Sequence, residues 1–516
     1  MLSEYNETKN ILHRLSPERI VFILLLMLVT AFLWLPAYPP MTDVPQHAGQ
    51  VGVLRSLLLG ENRWSDQVII SYITPYWIGY GSWLLVSFFL PVSIAFKVVL
   101  TFFFLFFVGA FVQMRREFMA PAMLDWILIP SFFGFSYEWG FITFIFAVPI
   151  GVIFFLLNKR WEEARASKWG WLVLIAGLVM YFSHLLVFLF FCFLTPAYLM
   201  VRCRFQAKIL WRFLPPYIIF AALFVAYFSM NGLSHGDGGY LYGSYGDHGL
   251  WSNIYERITG LLSYPFGMIL NRYAVMTLSV AALLLPFILG YRGRREFHFY
   301  VPLLSLLIIW ILLPHYSGGD GIFVFQRFSI FVFPFYILCF EKRLANQNII
   351  ADPVQRIGMG LGVLVIIALL YRPLANQWFF SKEAGEFASL LNELPAQQRA
   401  VTLVYSRGSR VVDNPFVYLH FPVWYQAEKG GWVDPSFAWS SQMVVRYRQK
   451  PSTKPGFEWN PRLISYIKDC DHYDLLFVRS FIKPPVDMFQ NTPCHHILYK
   501  NKGDWYVYRL PYTIRR

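Results

Sequence analysis

Apolar runs long enough to cross a bilayer recur along this chain, and nothing else constrains its fold as strongly. Runs of roughly 17 to 25 residues lie near 20–38, 72–90, 92–114, 119–137, 139–157, 213–230, 273–290, 299–314, 323–340 and 357–371. The stretch 169–201 is long for one helix and reads either as one strongly tilted span or as two short ones meeting near His184. With 57% hydrophobic and 14% charged residues, the chain carries more apolar surface than a soluble core hides, so a lipid bilayer is its expected solvent. The stretch 20–38 is a full span ending in Leu35-Pro36-Ala37-Tyr38-Pro39-Pro40 rather than the short core of a cleavable signal, and reads as an uncleaved first helix. The expected fold class is a polytopic α-helical membrane protein of about eleven to thirteen transmembrane helices.

A formal charge of +14 raises nucleic acid as a partner, but the Lys and Arg residues sit in short clusters beside apolar runs, the pattern of membrane topology. Arg202, Arg204, Lys208 and Arg212 form one cluster, Arg292, Arg294 and Arg295 a second, Lys342 and Arg343 a third. By the positive-inside rule these face the cytoplasm. The first loop 39–71, the loops 231–256 and 315–322, and everything after about 372 then lie on the other side. That assignment requires an odd number of crossings. About eleven fits if 169–201 crosses once, and about thirteen if it crosses twice and part of 48–60 also enters the membrane. The smaller count leaves Arg115, Arg116, Lys159 and Arg160 outside, against the charge rule.

Residues 1–371 thus form a transmembrane domain, and 372–516 change to the composition of a soluble chain, read as a small extracytoplasmic α/β domain. Lys382, Glu383 and Glu386 fall on a helix expected to end near Leu394-Pro395. Residues 401–405, 475–478 and 505–508 are strand candidates, the last entered through the turn Asn501-Lys502-Gly503-Asp504. Cys470 and Cys494 lie in this tail, where an oxidising compartment would let them pair as a disulfide. Cys192, Cys203 and Cys339 sit in or beside apolar segments, without the spacing of metal ligands.

Polar residues concentrate where spans should meet the outer face. Directly after the first span comes Asp43-Val44-Pro45-Gln46-His47. If the chain turns helical after Pro45, His47 comes close to Asp43 and the pair can take a proton from a hydroxyl; alternatively Asp43 caps the amphipathic stretch 46–59. Glu138 separates two apolar runs, His184 breaks another, and His315 and Arg327 bracket Ser317-Gly318-Gly319-Asp320-Gly321. Ionisable groups at membrane depth are costly and tend to line cavities; the alternatives are an interhelical hydrogen bond at His184 and an Arg327 that snorkels from a helix end rather than holding a phosphate. Asp237 and Tyr240 belong to a Gly-, Tyr- and His-rich loop suited either to a sugar or cation or to a plain mobile surface. A Walker-type loop and a His-Glu-x-x-His pair are both missing, which argues against an ATPase or a zinc hydrolase of that type.

One span, an external loop with an acidic residue just past it, many further spans and an extracytoplasmic tail resemble the GT-C superfamily of membrane glycosyltransferases. Asp43-Val44-Pro45-Gln46-His47, Trp139-Gly140-Phe141, Ser183-His184-Leu185, Gln326-Arg327-Phe328, Tyr473-Asp474-Leu475-Leu476 and the closing Gly503-Asp504-Trp505-Tyr506-Val507-Tyr508 are similar to a bacterial branch of it. The resemblance implies an enzyme of the bacterial cytoplasmic (inner) membrane that moves a sugar from a polyprenyl-phosphate donor to a glycan or glycolipid acceptor on the extracytoplasmic face. Asp43 would be its general base, assisted by His47. Arg327 and His184 would hold the donor phosphate, and Glu138, His315, Asp237 and Tyr240 would line the acceptor cavity. The superfamily's usual paired acids are here Asp43-Val44, so the second carboxylate is missing and a divalent cation stays an open expectation. A transporter or flippase of lipid-linked saccharides, or a polysaccharide polymerase, is the alternative.

Overall fold

A computed structural model describes residues 16–61, 63–164, 166–207, 211–231, 252–268, 272–316, 322–342, 353–440, 442–449, 458–459, 461, 472–483 and 496–510. Asp237, Tyr240, Cys470 and Cys494 lie outside them, as do the Ser317–Gly321 residues between His315 and Arg327. The chain is mostly helical, with a small strand-containing region near its C-terminus.

Among the described residues four helices are long and apolar enough to cross a membrane: Val92–Glu117, Ile142–Ala164, Leu185–Arg202 and Arg356–Glu393. Shorter apolar helices, such as Ser167–Tyr181 and Arg272–Ile288, pack among them. Several expected spans take another form. The stretch 169–201 is two helices, Ser167–Tyr181 and Leu185–Arg202, broken at an extended His184. The stretch 72–90 contains only the helix Trp77–Ser87, roughly 16 Å long at 1.5 Å per residue, because Pro75 and Pro91 bound it. The stretch 119–137 is a chain of short turns, Ala122–Ile127 and Leu128–Ser131, before the five-residue helix Phe135–Trp139. The stretch 323–340 breaks similarly into Gln326–Phe331, Val332–Tyr336 and Ile337–Cys339. Pro121, Pro130, Gly134 and Pro334 explain these breaks, since each keeps the apolar character of the run while removing a helical hydrogen bond or its conformational bias.

The basic clusters meet at one end of the bundle. Lys159 and Arg160 pair with Glu117 at 3.3 and 2.9 Å, and Arg202 pairs with Glu162 and Glu163 at 2.9 and 2.8 Å. Arg115 pairs with Asp125 at 2.6 Å, and Arg294 donates to the carbonyls of Phe118 and Phe340. Arg115, Lys159 and Arg160 therefore share an end with Arg202 and Arg294.

The last helix, Pro353–Glu393, runs unbroken through Pro373 and joins the two parts of the chain. Its first half exposes Ile357, Leu361, Leu364 and Ile367. Its second half buries Phe380, Ala384, Phe387 and Leu391 against a five-stranded sheet, with Phe387 4.7 Å from the Trp505 ring. The sheet order is Trp432–Asp434, Arg399–Val404, Leu475–Arg479, Trp505–Arg509, Ile497–Lys502. The first three strands are parallel and the last two antiparallel. The expected strands and the hairpin around Gly503, at φ +55°, are all present.

The first loop is held against this domain. Its helix Val44–Leu58 lies on the helix Trp424–Lys429, so close that a Cβ on Gly49 would stand 2.7 Å from Val423 Cγ1. Its strand Val68–Ile70 pairs antiparallel with Val445–Tyr447. The part of 48–60 in the helix Val44–Leu58 thus packs on the C-terminal domain.

Candidate functional site

Two turns of backbone set Asp43 in place. Its N–H donates to Trp139 O at 2.8 Å, and that of Thr42 to Glu138 O at 3.2 Å. The chain after Trp139 then leaves through Gly140 at φ +90°, where a Cβ would stand 3.0 Å from the nitrogens of Asp43 and Val44. Only glycine combines that conformation with that close approach. Asp43 precedes the helix Val44–Leu58, yet its side chain makes no capping bond. The capping role expected from sequence is not taken. Instead Oδ2 accepts from Trp139 Nε1 at 2.8 Å, and Oδ1 lies 3.5 Å from His420 Nε2.

His47 lies one turn on, its N–H bonded to Asp43 O at 3.2 Å, but its ring turns to Tyr80, with Nδ1 2.5 Å from the hydroxyl. The imidazole facing Asp43 belongs to the C-terminal domain. Gln46 connects the two: Nε2 donates to Pro435 O at 2.7 Å and faces His420 Nδ1 at 3.5 Å, while Oε1 accepts from Phe437 N at 3.0 Å.

Arg327 is within electrostatic reach of both Asp43 and His47. Its guanidinium lies 3.7 Å over the Phe141 ring, Nη2 donates to Ile322 O at 3.0 Å, and the buried Nε has no hydrogen-bond partner among the described residues. His184 caps the helix Leu185–Arg202 through Nδ1, which accepts from Leu186 N at 3.2 Å, and its ring packs on Tyr76 and Phe144. That is a cap within its own chain segment rather than the expected interhelical bond. Asp43, His47, Arg327 and His184 are thus gathered in one region.

Glu138 and His315 serve other neighbours. The Glu138 carboxylate turns from Asp43 to Arg372 at 2.6 Å and accepts from Met268 N at 2.5 Å. His315 Nδ1 meets Gln326 Nε2 at 2.5 Å, and its ring packs on Phe323, which in turn lies 4.4 Å from the Trp139 ring. Among the described residues no group of three or more His, Cys, Asp or Glu is arranged to hold a metal ion. An apolar cavity of about 530 Å³, lined by Val21, Leu25, Trp126, Leu285, Phe333 and Val363 among others, runs between the first and last helices away from Asp43.

Burial pushes the Asp43 carboxyl well above its ordinary range; Arg327 and the Trp139 hydrogen bond pull it back, and Glu458 pushes it further up. Glu458, a second carboxyl from the C-terminal domain, is raised by burial to about 7. Burial lowers His420 to about 3, and burial followed by His420 and Arg327 lowers His47 to about 3. Both rings are therefore neutral at pH 7. The unfolded chain protonates His47 near 6.5 while the folded one resists to about 3, so its contribution to stability is full above 6.5 and is lost as pH falls. At about 1.4 kcal/mol per unit, His47→Gln is expected to gain about 2 kcal/mol on the wild type between pH 6.5 and 5. Denaturant titration of the two proteins at both pH values measures this. A constant difference between them contradicts it.

Sequence reasoning reached Asp43, His47, Trp139 and Arg327 but not His420, Gln46 in its bridging role, Tyr80 or Glu458. Gln46 and His420 stand 374 positions apart, and no local spacing signals their contact. No protein-family model matches the chain, and no curated protein matches it significantly.

Proposed function

We propose that this protein is a polytopic membrane glycosyltransferase that moves a sugar from a polyprenyl-phosphate donor to a glycan or glycolipid acceptor. The observation that carries the reading is the buried Asp43, set between Trp139 and His420 with the cation of Arg327 in reach. In this scheme Asp43 accepts the proton of the acceptor hydroxyl as that oxygen bonds to the anomeric carbon. The bond from that carbon to the phosphate oxygen breaks, and the phosphate leaves with the electron pair towards Arg327. A guanidinium suits such a leaving group because it stays charged and presents parallel donors.

Sidedness follows from charge. With Arg115, Lys159, Arg160, Arg202 and Arg294 at one end, the positive-inside rule puts that end in the cytoplasm of a bacterial inner membrane. Counting 169–201 as two crossings and leaving 72–90 outside gives about eleven passes, with Asp43 and the C-terminal domain both extracytoplasmic. The 530 Å³ cavity is of ligand size, and its hydrocarbon lining suits part of a polyprenyl chain rather than a sugar.

The test is transfer of labelled sugar from a short-chain polyprenyl phosphate by purified protein in liposomes, with Arg327→Gln beside the wild type. Loss of a charge-assisted contact to the leaving phosphate is expected to lower kcat/KM about 10- to 100-fold. Translocation of the labelled lipid without transfer would favour a flippase and overturn the reading.

A further inference from the structure

The amide of Gln46 can be oriented in one way only. Nε2 lies 2.7 Å from a carbonyl, Pro435 O, and so carries the hydrogens; Oε1 lies 3.0 Å from an N–H, that of Phe437, and so accepts. The same Nε2 faces His420 Nδ1 at 3.5 Å, which makes Nδ1 the acceptor and leaves the proton of the neutral ring on Nε2. That Nε2 stands 3.5 Å from Asp43 Oδ1, while Oδ2 is taken by Trp139 Nε1 at 2.8 Å. Phe437 fixes the ring by an edge contact at 5.3 Å. His420 and Asp43 side chains are 4% and 10% exposed, so little water competes for either group.

We propose that His420, supplied by the C-terminal domain, is a positioning residue for Asp43: Gln46 holds it as the Nε2–H tautomer, and that N–H is directed at the Asp43 carboxylate. Asp43 then has a donor on each oxygen, which fixes its plane and favours its charged form. A separation of 3.5 Å is long for such a bond, and contacts of this kind tighten when substrate closes the site. The domain is therefore part of the reacting centre rather than a cover over it. This rests on Asp43 as the base. The other charged and titratable groups felt at Asp43 are Arg327 and Glu458, and Tyr80 lies beyond His47.

Infrared titration of the full-length purified protein, as a difference against Asp43→Asn, reads the Asp43 carboxyl band without substrate. His420→Phe removes the donor and is expected to raise its midpoint by about one pH unit, the worth of one hydrogen bond. His420→Gln, which keeps an N–H, is expected to stay near the wild type. Gln46→Met frees the tautomer and gives a smaller rise, and it serves if His420→Phe does not fold. A midpoint unmoved in both the Phe and Met variants, or moved equally by Phe and Gln, overturns the proposal. Sugar transfer retained by Asp43→Asn would instead sink the base assignment while leaving the band shifts intact.

Discussion

Asp43→Asn is expected to lower sugar transfer about 10²- to 10⁴-fold, the range for removing a general base, while the protein keeps its folded stability. The two parts of the expectation have separate causes. Asn has the shape of Asp, so its carbonyl can still accept from Trp139 Nε1; its amide, a donor, then meets the His420 N–H and gives up only that long 3.5 Å contact. It lacks the carboxylate that takes the proton. The native carboxyl is also held far above its ordinary range by burial, so its charged form is costly to the fold and a neutral amide relieves that cost. Transfer assays and thermal melts of the same preparation separate the effects: activity lost with an unchanged or raised Tm marks a chemical role. Unchanged turnover would reject Asp43 as the base, and a parallel fall in both would make it a structural residue.

Apolar runs and short β-rich segments were legible in the sequence because each follows from local composition. The strands Leu475–Arg479 and Trp505–Arg509 lie where the β-rich runs stood. The breaks in 119–137 and 323–340 were harder to read, since proline inside an apolar run leaves its hydropathy intact and changes only its hydrogen bonding. The continuity of Pro353–Glu393 was hidden for the opposite reason: composition turns polar midway, but helical hydrogen bonding does not depend on which solvent the side chains meet. At the candidate site, one strand of evidence was local and one was not. Asp43 announces itself by following the first span, whereas its partner His420 depends on a contact across 374 positions from Gln46. Glu458, whose charge is felt at Asp43, comes from a distant part of the chain and was hidden for the same reason.

The same distinction separates Glu138 from the reacting groups and gives the largest stability effect to expect. Arg372, in the middle of the last helix, reaches Glu138 Oε1 at 2.6 Å and Oε2 at 3.3 Å, donates to Phe266 O at 3.2 Å, and lies 3.4 Å from Asp413. The Glu138 side chain is 7% exposed and that of Arg372 16%, so water can do little to replace either partner. Arg372→Ala leaves the Glu138 charge buried without its cation, which costs about 3–5 kcal/mol, a large part of a typical domain's total. Glu138 O also accepts from Thr42 N and Asn414 Nδ2, so loosening this residue shifts the backbone that carries Asp43, and transfer should fall together with Tm. Replacing both partners, as in Glu138→Gln with Arg372→Met, is expected to cost less than the two single changes summed, because neither charge is then stranded. The exposed pair Lys500–Glu393 supplies the control, where Lys500→Ala should leave Tm nearly unchanged. An Arg372→Ala variant as stable as that control would mean that water reaches Glu138, and the buried ion pair would no longer be what ties the last helix to the bundle.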